Sequence, residues 1–161
     1  MLTTAQAWDI LARVPDPEIP AISVTELGIV REVQAADEGV DVVVTPTYSG
    51  CPATEAIERS IRDALSAAGA RNVRVRQQLS PAWSTDWIAE DARERLRAYG
   101  IAPPGERPMG GAQPLSFVPR VSCPRCGSAD TERLSQFGST ACKALYRCRA
   151  CREPFEYFKP I

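Results

Sequence analysis

The sequence contains no histidine. This absence excludes Ser-His-Asp triads, Cys-His nucleophile pairs and imidazole metal sites, so any bound metal must be held by thiolates or carboxylates. The chain also lacks an apolar run long enough to span a membrane and a glycine loop of the kind that binds phosphate. The N-terminal residues have neither the basic region nor the apolar stretch of a signal peptide. We therefore expect a soluble, cytoplasmic protein.

Six cysteines are present, and four of them form two CxxC pairs. These four are Cys123, Cys126, Cys148 and Cys151. In a reducing compartment such pairs are typical of metal ligands rather than disulfides. Two CxxC turns at this separation predict a tetrahedral four-sulfur site in a small β ribbon, with zinc as the metal, although a single iron or a cluster also suits four thiolates. Because so short a segment cannot form a sufficient core, metal binding should supply much of its folding energy.

Charge is distributed unevenly along the chain. Residues 1–118 hold 11 Lys/Arg against 16 Asp/Glu, whereas residues 119–161 hold 8 against 4. The excess of four in the tail falls to about two once a Zn²⁺ ion and four thiolates are counted. A weak electrostatic case for nucleic acid remains, and it rests on Arg120, Arg125, Arg133, Arg147, Arg149 and Arg152. A zinc-ribbon nucleic-acid-binding protein is therefore kept only as an alternative.

A second candidate site lies where a strand leads into a helix. The β-branched run that ends at Thr45 is followed by a Pro/Ser/Gly turn, and Cys51-Pro52 then opens a helix, because proline is favoured at the first helical position. Cys51 is accordingly predicted to be the N-cap. There the free N–H groups and the positive end of the helix dipole would favour an anionic or metal-bound sulfur. The alternative is a small buried apolar residue at the turn.

The pattern of apolar residues predicts an α+β fold. The expected elements are a helix over Thr4–Val14, strands over Ile29–Val33, Val40–Thr45 and Asn72–Leu79, the helix after Cys51, and a helix over Asp86–Tyr99. Their order favours a small mixed three-stranded sheet with helices packed on it, followed by a small β zinc-ribbon domain. Prolines and glycines are dense after residue 100, so we expect a first domain over 1–100, a linker over 101–118 and the ribbon over 119–161.

Two further features have both a structural and a functional interpretation. Asp16 and Glu18 lie in a proline-rich loop that is predicted to be stiff and extended, and they are either solvated turn residues or acidic groups at a metal site. Cys142 is either a packed hairpin residue or a second functional thiol, favoured as thiolate by the charge of Lys143. The residue types alone leave both questions open.

Several stretches of the chain resemble known families. Three of them resemble motifs of the SufT-like iron–sulfur assembly domain family: DPEIP at 16–20, ELGIV at 26–30 and TPTYSGCP at 45–52. The chain also contains PAWSTDWI at 81–88, GIAPP at 100–104 and a segment from FGST at 137–140 to Lys159. These stretches are similar to the PaaD family of bacterial phenylacetyl-CoA epoxidase proteins, which carries the same C-terminal cysteine ribbon. The resemblance covers nearly the whole chain, and Cys142 belongs to its pattern.

The resemblance implies a role in aerobic phenylacetate catabolism. In that pathway a multicomponent monooxygenase with a di-iron centre epoxidises the ring of phenylacetyl-CoA, and a reductase with flavin and a [2Fe–2S] cluster feeds it. Members of the PaaD family are regarded as dispensable for the catalytic core and are associated with maturing an iron or iron–sulfur centre. Carried over by motif, the family's functional cysteine falls on Cys51 and its acidic loop on Asp16 and Glu18.

Our hypothesis is a non-catalytic accessory protein, not an enzyme, that assists assembly of an iron or iron–sulfur centre in the epoxidase system. Cys51 from each of two protomers, helped by Asp16 or Cys142, would bind iron or a cluster transiently, while the ribbon holds structural zinc. The expected partners are the reductase, the di-iron subunit or the iron–sulfur assembly machinery, and a second copy of the chain in a homodimer. The alternative is a stable structural subunit of the oxygenase that docks through Trp83 and Trp87 or through the linker. The two tryptophans are expected to be core or interface anchors rather than groups that stack on a cofactor.

Overall fold

The structure is a computed structural model that describes residues 2–105 and 120–161. The chain divides into two compact units, Met1–Ala92 and Arg93–Ile161. The predicted α+β architecture is confirmed, with a mixed sheet and helices in the first unit and a β ribbon in the second. Within the described ranges, no helix is long and apolar enough to cross a bilayer.

A three-stranded mixed sheet organises the first unit, as predicted. Strand β1 (Val30–Ala36) pairs antiparallel with β2 (Gly39–Val44), and β2 pairs in parallel with β3 (Val73–Gln77). The strand order is β1-β2-β3, so β2 is central, and the three valines at its C-terminal end are all buried. A tight turn joins the antiparallel pair, whereas the parallel pair requires the helical crossover that follows β2.

Two helices pack against this sheet. Helix α1 (Thr4–Leu11) begins with a capping box, because Thr3 Oγ1 accepts a hydrogen bond from the Gln6 N–H at 3.2 Å and the Thr3 N–H donates to Gln6 Oε1 at 2.9 Å. Helix α2 (Thr54–Ala67) presents one apolar stripe, and its buried members include Ile57, Ile61 and Leu65. Helix α1 contacts α2 and β1, and α2 contacts β3, so both apolar faces are covered.

A strap formed by residues 83–89 is attached to the loop that precedes β1. The indole N–H of Trp83 donates to the carbonyl of Leu27 at 3.0 Å, and the backbone N–H of Ala89 donates to the carbonyl of Glu26 at 2.9 Å. Because Trp83 is buried and its polar atom is satisfied, it is a core residue of this unit.

The helix predicted over Asp86–Tyr99 begins later than expected. Thr85–Trp87 forms a separate 3₁₀ turn, capped by Ser84, and helix α3 (Glu90–Tyr99) follows it. The two units divide between Ala92 and Arg93, inside helix α3. The sequence predicts that the first domain ends at residue 100, after this helix.

The second unit is a four-stranded ribbon. Its strands are β4 (Ile101–Ala102), β5 (Thr131–Ser135), β6 (Lys143–Cys148) and β7 (Pro154–Phe158), in the order β4-β7-β6-β5. Strands β5, β6 and β7 are antiparallel, and β4 runs parallel to β7. Its core contains Tyr146, which stacks on Phe155 with ring centroids 5.8 Å apart and meets Tyr157 edge-on at 5.6 Å.

One part of the predicted linker is a strand. Ile101 and Ala102 are buried, and they pair with Glu156 and Tyr157 as β4, because two apolar residues complete the edge of the ribbon sheet. The rest of the linker prediction falls largely on residues 106–118, which lie outside the described residues. The predicted domain bounds therefore stay a prediction.

Candidate metal centre and Cys51 turn

Four cysteine sulfurs converge at one end of the ribbon. The Sγ atoms of Cys123 and Cys151 are 3.8 Å apart, those of Cys126 and Cys148 are 3.5 Å apart, and all four lie within 4.8 Å of one another. A tetrahedral zinc site with Zn–S bonds of about 2.3 Å requires sulfurs about 3.8 Å apart. The four thiols brought together by the two CxxC pairs therefore fit a single metal ion.

Each CxxC pair is held by a turn with a residue of positive φ immediately after its second cysteine. In the first turn the Gly127 N–H donates to the Cys123 carbonyl at 2.9 Å, and Gly127 has φ +75°. In the second turn Arg152 takes the equivalent place with φ +66°. Cys123 and Cys148 are buried, whereas Cys126 and Cys151 are exposed. The metal centre thus lies at the surface with half of its sulfurs inside the ribbon.

The thiols titrate unequally. The pKa of Cys148 is lowered to about 7, chiefly because the backbone N–H of Cys151 donates to its sulfur at 3.5 Å. For Cys151 the backbone N–H of Glu153 acts to lower the pKa, but burial and the hydrogen bonds with the three neighbouring thiols outweigh it and raise the pKa to about 12. One thiolate therefore forms near neutral pH and a further one is disfavoured beside it. A bound cation removes that repulsion, so metal binding and proton release are coupled.

The Cys51 turn differs from the prediction. Helix α2 has Ala53 as its N-cap, so the prediction of Cys51 in that position is wrong. The Cys51 N–H donates to the Tyr48 carbonyl at 3.2 Å and the Cys51 carbonyl accepts from the Thr54 N–H at 3.1 Å, so two successive turns occupy these residues before the helix begins. Cys51 is half-buried, and its sulfur has no partner among the residues that the structure describes.

The acidic loop is folded back rather than extended. Asp16 is buried, and its Oδ1 accepts hydrogen bonds from the backbone N–H groups of Glu18 at 2.9 Å and Ile19 at 2.8 Å. The Asp16 N–H donates to the carbonyl of Ile22 at 2.9 Å. The carboxylate of Asp16 thus shapes its own turn, as aspartate commonly does, whereas Glu18 is exposed.

Cys142 lies in the hairpin of the ribbon. It is buried, and its Sγ is 3.0 Å from Thr140 Oγ1. The ammonium group of Lys143 was expected to favour a thiolate at Cys142, but it forms an ion pair with Glu156 instead, with Nζ 2.8 Å from Oε2. Sequence reasoning missed Glu156, since only the register of β6 against β7 brings that carboxylate to the lysine. Cys142 is therefore packed in the hairpin, and its role as a second functional thiol stays a prediction.

Two family descriptions match the chain. The family described as iron-sulfur cluster assembly protein matches residues 4–77, a range that includes the acidic loop and the Cys51 turn. The family described as PaaD zinc beta ribbon domain matches residues 112–159, a range that includes all four clustered cysteines. The two matches therefore correspond to the two candidate sites.

Two relatives are similar over long stretches. A protein of Escherichia coli (strain K12), provisionally named as the D subunit of 1,2-phenylacetyl-CoA epoxidase, is 54% identical over 156 residues, which are 97% of this chain and 92% of that protein. An Fe-S protein maturation auxiliary factor of Porphyromonas gingivalis is 34% identical over 89 residues, which are 54% of this chain and 84% of that protein.

Solved structures resemble part of the chain. A DUF59 domain of unknown function from Bacillus anthracis has a TM-score of 0.55 at 25% identity and covers 58% of this chain and 91% of its own. A conserved hypothetical protein from Thermotoga maritima has a TM-score of 0.51 at 28% identity and covers 59% of this chain and 94% of its own. With the sheet, the cysteine cluster and the identity over nearly its full length in agreement, this chain belongs to the PaaD family of phenylacetyl-CoA epoxidase proteins.

Proposed function

We propose that this protein is a non-catalytic accessory factor that assists assembly of an iron or iron–sulfur centre in the phenylacetyl-CoA epoxidase system, with Cys51 as the transfer ligand. The observation that carries the proposal is that the iron–sulfur assembly family matches residues 4–77, where Cys51 is half-buried with a sulfur that no described residue engages. The relative named as an Fe-S protein maturation auxiliary factor supports the same role.

The chemistry of the Cys51 turn suits temporary binding. One thiolate per chain leaves an iron ion or a cluster incompletely ligated, so its cargo can be passed on, and two copies of the chain would share it. Gly50, with φ +78°, forms the turn in front of Cys51 and keeps its approach free of a side chain. In this proposal Asp16 fixes the acidic loop through its two backbone hydrogen bonds, and Glu18, which lies exposed in the same loop, would supply an additional oxygen ligand.

The ribbon has a different task in this proposal. Its four thiolates fill all positions of a tetrahedral ion, which is typical of structural zinc rather than of a site that exchanges its metal. Cys123, Cys126, Cys148 and Cys151 would hold the zinc, and the folded ribbon would be available to contact the client protein.

The proposal is tested on protein purified without oxygen, by measuring zinc, iron and sulfide together with visible absorption. We expect about one zinc per chain and a smaller amount of iron and sulfide in the wild type. Cys51→Ala should keep the zinc and lose the iron and sulfide. Cys142→Ala is the matched control, because it removes a buried thiol of the other unit, and it should resemble the wild type. A folded Cys51→Ala protein that still supports full cluster occupancy in the reductase would overturn the proposal.

A stable structural subunit of the oxygenase is the second candidate function. It is favoured by the relative that is named as a subunit and is matched over 92% of its length. Size-exclusion chromatography of the assembled oxygenase separates the two functions. A structural subunit remains at fixed stoichiometry in the active complex, whereas an assembly factor is absent from it once the metal centres are filled.

A further inference from the structure

An arginine of the first unit lies stacked on a tryptophan. The Cζ atom of Arg31 is 3.6 Å from the centre of the Trp87 ring, and its Nη1 is 3.4 Å from the carbonyl oxygen of Gly28. Arg31 is exposed, and no carboxylate pairs with it among the residues that the structure describes. A guanidinium on an indole face keeps its donor edge directed outward while its conformational freedom is reduced.

The platform beneath Arg31 is rigid. Trp87 belongs to the strap of residues 83–89, which two hydrogen bonds attach to Glu26 and Leu27. Gly28 closes the contact, because a Cβ at that position would be 2.7 Å from the Cβ of Trp87 and 2.8 Å from its carbonyl oxygen. The backbone of the strap thus touches the loop directly, which fixes the Cα and Cβ atoms of Trp87 beside the start of the strand that carries Arg31.

The backbone of β1 also directs Arg31 toward this platform. The register against β2 shifts between Val30 and Glu32, so Arg31 is the extra residue of a β-bulge. Bulges bend a strand and re-aim a side chain, and they are over-represented at functional sites. An exposed arginine that receives a bulge, an aromatic platform and a backbone contact, but no acidic partner within the described part of the chain, has the features of a binding group.

The charge around Arg31 limits what it can bind. The first unit contains seven arginines and no lysine against 14 Asp/Glu, so it repels the continuous negative charge of a nucleic acid. Its other arginines include two that are paired, Arg62 with Glu58 at 2.8 Å and Arg74 with Asp41 at 3.0 Å. A single carboxylate presented by a protein fits this environment, because the guanidinium fork accommodates it in a bidentate manner.

We propose that Arg31, held on Trp87, is the docking anchor for one carboxylate of a partner protein. The choice of partner rests on the proposed function, under which the partner is another component of the epoxidase system. Arginine and tryptophan are among the residue types most often found at the energetic centre of protein interfaces.

The test uses calorimetric titration of this protein with the purified epoxidase reductase and oxygenase subunits of the same organism. We expect one of them to bind, and Arg31→Ala to weaken that binding by about 10- to 30-fold. Arg31→Lys should weaken it nearly as much, because lysine keeps the charge and the fold but lacks the planar fork. The matched control is Arg76→Ala, which removes an exposed arginine of β3 and should change the affinity by less than about twofold.

Several results would overturn the inference. They are the absence of binding to every component, equal binding by wild type and both Arg31 variants, or salt-dependent binding to duplex DNA or RNA that Arg31→Ala abolishes. Cys51→Ala distinguishes a failure of docking from a failure of the proposed function. It should dock like the wild type while lacking iron and sulfide, whereas Arg31→Ala should keep both.

Discussion

The ammonium group of Lys143 lies 2.8 Å from the carboxylate of Glu156, and the lysine side chain is only 3% exposed. The backbone N–H of Ser139 donates to the other carboxylate oxygen at 2.6 Å, so the ion pair also fixes the loop between β5 and β6. Burial alone would raise the pKa of Glu156, but the hydrogen bonds from Lys143 and Ser139 outweigh it and hold the pKa below its ordinary value. The buried charge of Lys143 is therefore balanced at neutral pH.

Glu156→Gln should destabilise the zinc-loaded ribbon by more than about 2 kcal/mol, because it leaves a buried ammonium group without its counter-charge. Denaturant unfolding at pH 7, followed by the near-ultraviolet signal of the ribbon tyrosines, measures the change. Glu94→Gln is the control, since it removes an exposed partner of Arg97 on α3 and should have little effect. Equal stability of the two variants would contradict a structural role for the buried pair.

Introducing a glycine in one metal-binding turn and removing a glycine from the other should have opposite effects on the stability of the ribbon. Arg152→Gly should stabilise the ribbon by up to about 1 kcal/mol, because glycine adopts φ +66° without the steric strain of a Cβ atom. Gly127→Ala should destabilise it by a similar amount through backbone strain alone, since no atom lies within 4 Å of the added Cβ. Resistance of the zinc-loaded proteins to urea is the measurement. A loss of stability in Arg152→Gly would show that the arginine side chain itself makes a needed contact.

Gly28→Ala should disrupt the contact between the strap and the loop before β1. The new methyl group would lie 2.7 Å from the Cβ of Trp87, and the positive φ of +75° adds backbone strain, so we expect a loss of about 2–4 kcal/mol. Gly69→Ala is the matched control, because Gly69 also has a positive φ but has open space around it, and it should lose about 1 kcal/mol. Urea unfolding followed by tryptophan emission compares the two. Equal losses of stability in the two variants would mean that the strap moves away from the new methyl group without destabilising the protein.

Much of the architecture could be predicted from the sequence because short-range patterns determine it. Alternating and β-branched residues identified β1, β2 and β3, and the two CxxC spacings identified the four clustered cysteines. These features depend on residues close in the chain, where local geometry restricts the outcome.

The remaining features depend on long-range contacts or on competition between local hydrogen bonds. The Arg31–Trp87 stack joins residues far apart in the chain, and the Lys143–Glu156 pair requires the register of two strands. Strand β4 has only two residues, and it is a strand only because those residues pair with β7. The start of α2 was misplaced because proline after Cys51 favours a helix there, whereas the turns over Tyr48–Thr54 use the same backbone groups first.

Removal of zinc should unfold the second unit and leave the first intact. The buried cluster of the ribbon contains two of the metal ligands, Cys123 and Cys148, together with aromatic residues such as Tyr146, so loss of the ion exposes unpaired thiols within a very small core. A chelator at neutral pH should abolish the near-ultraviolet signal of the ribbon tyrosines, while the helical signal of α1 and α2 and the emission of buried Trp83 remain. Added zinc should restore the tyrosine signal. Retention of that signal in metal-free protein would show that strand packing alone is sufficient to fold the ribbon.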